Sequence, residues 1–293
     1  MINLVFCLYL RSQDSPYLIG LAATYASIRA NTRARLRVNI LHDDTLLDGP
    51  KEMLKQSLGG EDEIVFCHAS VVPEAYELSK KLDGRYSPAI IWRAWLAEYF
   101  PDLRRCLLLD CDLLFLCDVL ALWNVRLGSN ALSAPFGGGW RLNEVYFNWI
   151  GSSKEKYFRV CVVLMNLKKI RKMYAFQHGR VSFLADAYSR MGTGPGSYLL
   201  EQSLFNKFFS GSSKPLPLEV FAANGVEKNV ERHAILGLKV LKKEPLIIDI
   251  KGWENSSEFT LLYWSFVLRT AWRDVAQEQW LELRPPMPPR SEP

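Results

Sequence analysis

The stretch Cys106-Leu107-Leu108-Leu109-Asp110-Cys111-Asp112-Leu113-Leu114-Phe115-Leu116 decides how the rest of this sequence is read. A run of leucines needs burial, yet this one delivers two carboxylates one residue apart. Side chains at i and i+2 of a strand point to the same side, so Asp110 and Asp112 can converge on one cation. Two carboxylates in one site repel each other, and a divalent metal removes that cost. The plainer reading is that both aspartates only open the turn after a strand.

The sequence upstream alternates strand and helix patterns. Asn3 to Tyr9 reads as a strand. Ser15-Pro16 starts a helix with its apolar face at Leu18, Leu21, Ala22, Tyr25 and Ile28. Arg37 to Leu41 and Ile64 to Cys67 read as further strands, Gly49-Pro50 to Leu58 and Pro73 to Lys81 as helices. A helix from Ile90 to Phe100 then feeds the aspartate strand through Pro101. This alternation predicts a mostly parallel central sheet, Rossmann-like, with helices on both faces. Such sheets bind ligands at the carboxyl ends of their strands, where the aspartates fall.

Beyond Trp123 the pattern loosens. Gly137 to Gly139 and Gly151 to Lys156 read as loops, Phe158 to Met165 as a strand followed by Asn166 as a helix cap. Phe183 to Met191, Tyr198 to Phe209 and Phe259 to Ala276 read as helices, and Leu246 to Ile250 as a late strand. No linker divides the chain, so residues 1–276 are expected to form one domain. Residues 277–293, with five prolines from Pro285 onward, are expected to be a disordered tail.

A net charge of +5 tolerates an anionic ligand or an acidic membrane surface, but the dense basic blocks of a nucleic-acid binder are missing. Arg11 interrupts the first apolar run with no cleavage site after it, and the apolar stretch Phe259 to Val267 is too short to span a bilayer. Six cysteines without a Cys-x-x-Cys read as reduced core residues of a cytoplasmic protein.

Four further segments carry chemistry or mere structure. Arg93, after Trp92, either reaches a phosphate or is a surface residue. Tyr157-Phe158-Arg159 through Asn166-Leu167 reads on its own as a buried strand with a cap. Glu201-Gln202, on a helix whose core face is Leu204, Phe205 and Phe208, would ordinarily face solvent. Asp249, between Ile248 and Ile250, is a carboxylate inside an apolar strand, costly unless paired or metal-bound.

In their order and spacing these segments resemble glycosyltransferase family 8, the retaining nucleotide-sugar enzymes that include bacterial lipopolysaccharide galactosyl- and glucosyltransferases. The likeness is carried by Tyr25-Ala26-Ser27-Ile28-Arg29-Ala30-Asn31, Trp92-Arg93, the Asp110-Cys111-Asp112 motif with Asp118 to Trp123, and Tyr157-Phe158. It continues through Val162 to Leu167, Glu201-Gln202 with Asn206, and Ile248 to Gly252. The resemblance implies a glycosyltransferase-A fold, manganese or magnesium at Asp110 and Asp112, and a nucleotide-diphosphate sugar as donor. It places Arg93 by the donor phosphates, Gln202 by the reactive face of the sugar and Glu201 on sugar hydroxyls. It also assigns Tyr9, Arg159, Lys251 and Gly252 to the donor side.

Several positions depart from the family pattern. Arg159-Val160-Cys161 stands where Asn-Ala/Ser-Gly is usual, Asp249 where a histidine ligates metal, and no Lys-Pro-Trp follows Gly252. Asp249 is expected as a third, harder ligand; the opposing possibility is an ion pair with Arg159. Tyr9 aligns with the family's base-reading aspartate, so uridine selectivity is not expected. The function expected is metal-dependent retaining hexosyl transfer to a glycan, lipid-linked glycan or other hydroxyl, with peripheral contact at the inner membrane face. The alternative is a non-catalytic nucleotide- or glycan-binding descendant of the same fold; a nucleotidyltransferase-like enzyme would share the aspartates but leave Tyr157 to Leu167 unexplained.

Overall fold

The computed structural model describes residues 1–12, 15–81, 87–137, 142–190, 200–216, 247–249, 258–275 and 277. Its centre is a seven-stranded sheet in the order β3-β2-β1-β4-β7-β6-β8. The strands are β1 (Ile2–Leu8), β2 (Leu36–His42), β3 (Glu63–His68), β4 (Cys106–Leu109), β6 (Leu132–Ala134), β7 (Val162–Met165) and β8 (Ser213–Pro215). Strands β3, β2, β1 and β4 are mutually parallel, and only β7 runs against its neighbours. A second, two-stranded sheet pairs β5 (Leu113–Phe115) antiparallel with β9 (Ile247–Asp249).

Strands buried on both faces read as unbroken apolar runs, and their alternation here sorts side chains into two cores. Leu4, Phe6 and Leu8 of β1, Leu107 and Leu109 of β4, and Val162 and Leu164 of β7 face one core. Val5, Cys7, Cys106, Leu108, Val163 and Met165 face the other. The first core is covered by α1 (Pro16–Asn31) and the helix Glu258–Val267. The second is covered by the segment Ala89–Tyr99 and by α9 (Tyr174–Ser189) and α10 (Leu200–Phe209).

The first half follows the sequence reading to within a residue or two. Residues 90–100, expected as one helix, are instead two four-residue turns, Ala89–Trp92 and Leu96–Tyr99, joined by a 3-10 turn at Arg93–Trp95. The expected strand Phe158–Met165 shortens to Val162–Met165, with a single bridge from Phe158 to Phe136. Helix α9 begins nine residues before the expected Phe183, and β6 and β8 were not foreseen. All six cysteines are free thiols. No described helix is long and apolar enough to cross a membrane.

Candidate functional site

The alternation along β4 continues past its last residue. Leu107, Leu109 and Cys111 share the core under α1. The side chain of Asp110, between two of them, turns the opposite way, toward the segment that carries Arg93. Asp110, Cys111 and Asp112 lie in a bend between β4 and β5, with Cys111 buried and both aspartates half-buried. Asp110 is anchored by its backbone N–H, which donates to Cys161 O at 2.9 Å.

Arg93 meets Asp110 there. Its Nη2 donates to Asp110 Oδ1 at 2.5 Å, and Nη1 lies 4.0 Å from Glu201 Oε1. Its side chain is only 11% exposed, so the reading of Arg93 as a solvated surface residue does not hold. Burial opposes the guanidinium's charge, but the Asp110 and Glu201 carboxylates outweigh it and raise its pKa above the ordinary arginine value. The buried Arg93 Nε has no acceptor among the described residues. Beneath this pair, burial pushes the Cys7 thiol up to about 12, against the pull of Arg93, so Cys7 stays neutral.

Glu201 and Gln202 come from the first turn of α10 and are half-buried rather than solvent-facing. The Gln202 amide is spent on backbone: Oε1 accepts from Val160 N at 3.2 Å and Nε2 donates to Phe158 O. One turn on, fully buried Asn206 accepts from Phe158 N at 3.0 Å and donates to Phe158 O at 2.9 Å. Phe158 and Val160 are thereby clasped to α10, with the half-buried Arg159 between them, near enough to Tyr157 to act on its phenol. Tyr9 is half-buried at the carboxyl end of β1, packed against the core that holds Trp92.

Asp249 pairs through its backbone with Leu113, the residue after Asp112, so β9 brings it alongside the aspartate bend. Lys251 and Gly252 lie outside the described residues, as do Gly138, Gly139 and the 285–293 tail. Among the described residues no three His, Cys, Asp or Glu side chains are gathered into a metal cluster. Asp110 and Asp112, two residues apart in one bend with the β9 backbone of Asp249 beside them, offer the oxygen donors that suit manganese or magnesium, and Arg93 sets its single charge against Asp110 and Glu201.

Three residues near the bend, Tyr263, Thr24 and Ser27, had no site role legible in the sequence. Tyr263, on the helix Glu258–Val267, is buried near enough to Asp112 to feel its charge, and burial first, then Asp112, holds its phenol well above its usual pKa. Thr24 and Ser27, hydroxyls on the apolar side of α1, are fully buried. Buried hydroxyls need partners, and theirs are Cys111 O in the aspartate bend, Leu113 N and Phe115 N on β5, and Thr24 O within the helix.

Residues 7–222 match the sequence model of a family described as glycosyl transferase family 8. A curated relative, "Probable galacturonosyltransferase-like 6" of Arabidopsis thaliana, is 32% identical over 91 residues, which span 27% of this chain and 26% of the relative. Among solved structures, the galactosyltransferase LgtC in complex with donor and acceptor sugar analogs superposes with a TM-score of 0.68 at 20% identity, covering 97% of this chain and all of that one. The bifunctional glycosyltransferase WbbM gives a TM-score of 0.71 at 15% identity, covering 95% of this chain and 51% of that one. At these identities the structural likeness speaks for the fold, that of the glycosyltransferase-A enzymes.

Proposed function

This chain belongs to glycosyl transferase family 8, and from that premise we propose that it moves a hexose from a nucleotide-diphosphate sugar to a hydroxyl acceptor, with retention at the anomeric carbon and dependence on a divalent cation. The acceptor is a glycan, free or lipid-linked, the latter reached by peripheral contact with a membrane. The observation that carries the reading is the Arg93–Asp110–Glu201 cluster at the carboxyl end of β4, with Asp112 and the β9 strand beside it.

Asp110, Asp112 and Asp249 would hold manganese or magnesium, which when bound supplies Lewis-acid stabilisation of the departing diphosphate. Arg93, already charged and buried, donates to the donor phosphates or sugar, its vacant Nε included. Glu201 accepts from sugar hydroxyls. Burial of these groups keeps water from competing with the acceptor. Tyr9 and Arg159 lie on the donor side in this reading.

A second reading, a non-catalytic nucleotide or glycan binder, is favoured by one observation. Both ends of the Gln202 amide are engaged by the backbone of Phe158 and Val160 rather than presented to a ligand.

Screening nucleotide-diphosphate hexoses with manganese present, and reading product anomers by NMR, tests the two. Transferase activity is expected to disappear with chelator and in Asp112→Asn. Gln202→Ala should lower kcat with nucleotide affinity nearly intact. Nucleotide binding without turnover across the whole panel would favour the second reading.

A further inference from the structure

We propose that Thr24 is a positioning residue for Asp112, setting its carboxylate through the backbone on either side of it. Thr24 lies in α1 and is fully buried. Its Oγ1 donates to Cys111 O at 3.1 Å and accepts from Leu113 N at 3.2 Å. These are the carbonyl entering Asp112 and the amide leaving it, so one hydroxyl straddles the aspartate. A hydroxyl has one proton to give, and Thr24 gives it to the bend rather than to its own helix, where a threonine often bonds back to the preceding turn.

The neighbouring contacts extend this arrangement along β5. Ser27 Oγ accepts from Phe115 N at 2.9 Å and donates to Thr24 O at 2.7 Å. Asn31 Nδ2 donates to Phe115 O at 2.9 Å. One edge of β5 is paired with β9, and side chains of α1 serve the other. Asp112 cannot rotate its flanking peptides without leaving a buried C=O or N–H unpaired. The branched Thr24 side chain is also stiff about χ1, which fixes the hydroxyl in turn.

The inference rests on the reading of Asp112 as a cation ligand. Groups that orient metal ligands typically cost 10–100-fold in metal affinity when removed. Titrating the whole chain with manganese alone, followed by electron paramagnetic resonance of the free ion, measures the effect.

Thr24→Val keeps the shape and removes the hydroxyl; it is expected to weaken manganese binding by roughly 10-fold or more. Thr24→Ser, which keeps the hydroxyl, should bind within about 3-fold of the parent, a residual charged to the lost methyl's χ1 restraint. Ser27→Ala removes the bonds to Phe115 N and to Thr24 O, neither of which touches the peptides flanking Asp112. It should lower the melting temperature as Thr24→Val does while losing far less manganese affinity. Equal manganese affinity in Thr24→Val and the parent, with binding abolished in Asp112→Asn, overturns the positioning role alone. Parent-like binding in Asp112→Asn overturns the cation reading, and the inference with it. Should Thr24→Val not fold, Thr24→Cys, with a weaker donor in similar volume, makes the same comparison.

Discussion

A guanidinium that is 11% exposed keeps its charge only where carboxylates hold it, and Arg93 has Asp110 at 2.5 Å and Glu201 at 4.0 Å. Removing one partner of a buried pair costs more than the pair contributes, since the other charge is left uncompensated. Arg93→Gln should therefore lose about 3 kcal/mol of unfolding free energy. It also frees Asp110 Oδ1 and leaves the carboxylates facing one another without a cation. Manganese should then stabilise Arg93→Gln more than it stabilises the parent, returning about 2.7 kcal/mol at a hundred times its Kd. Thermal melts of both proteins with and without manganese check this; an equal or smaller gain in the variant would mean that the carboxylates do not share a cation. At this scale the sequence told the identity of the charges but not their partners. Asp110 and Asp112 stood out because carboxylates ended an apolar run. Thr24 did not, because a hydroxyl on an apolar helix face looks like tolerated polarity until β5 is laid beside it.

Elements recruit such residues as substitutes for missing backbone partners, and the α10 clasp on Phe158 is the second instance. Asn206 gives Phe158 both a donor and an acceptor and also donates to Gln202 O at 2.9 Å, all within a fully buried side chain. Asn206→Leu keeps the volume, loses three bonds and strands the Phe158 N–H. A destabilisation of roughly 2–4 kcal/mol is expected, read as a lower urea midpoint at unchanged slope. A loss under about 1 kcal/mol would show that the clasp is replaceable by packing. The elements that were legible are those whose burial pattern is continuous, such as β1, β4 and α1. Others were hidden by local exceptions. The first turns of helix α9 were hidden in the sequence because Arg180 occupies a core position, which breaks the apolar period. In the fold its Nη1 reaches Glu98 Oε1 at 2.7 Å and Ala94 O at 3.1 Å, and its guanidinium lies over Trp95. Strands β6 and β8 are three residues each, with Ser133, Ser213, Lys214 and Pro215 among them, and only pairing to β7 and to each other makes them strands. The kinked 89–99 segment answers to two buried tryptophans, Trp92 and Trp95, whose indole N–H groups reach Ser79 Oγ and Glu74 Oε2; helix propensity carries no trace of that.

Across the whole molecule, the site is assembled from segments far apart in sequence, and its rigidity depends on the late ones staying docked. Strand β9 joins residues 247–249 to β5. The following helix buries Tyr263, Trp264, Phe266 and Val267 in the core shared with α1, and Ala271 N donates to Ser57 Oγ at 2.9 Å. Full burial of such side chains is worth about 1.5–3 kcal/mol each, so together they rival the 5–15 kcal/mol by which a domain is ordinarily stable. That sets opposite expectations for two truncations. A chain ending at residue 257 should not melt cooperatively, since it exposes the α1 core and the aspartate bend together. A chain ending at residue 276 loses only a segment whose five prolines and few apolar residues give it little to bury. It should therefore unfold in one transition at the parent's midpoint. Circular dichroism melts of the two chains beside the full one decide the matter. A parent-like midpoint for the shorter chain would mean that the last helix is an accessory to the fold. A clear drop for the longer one would move the domain boundary past residue 276, and would give the proline-rich segment a packing role that its composition does not suggest.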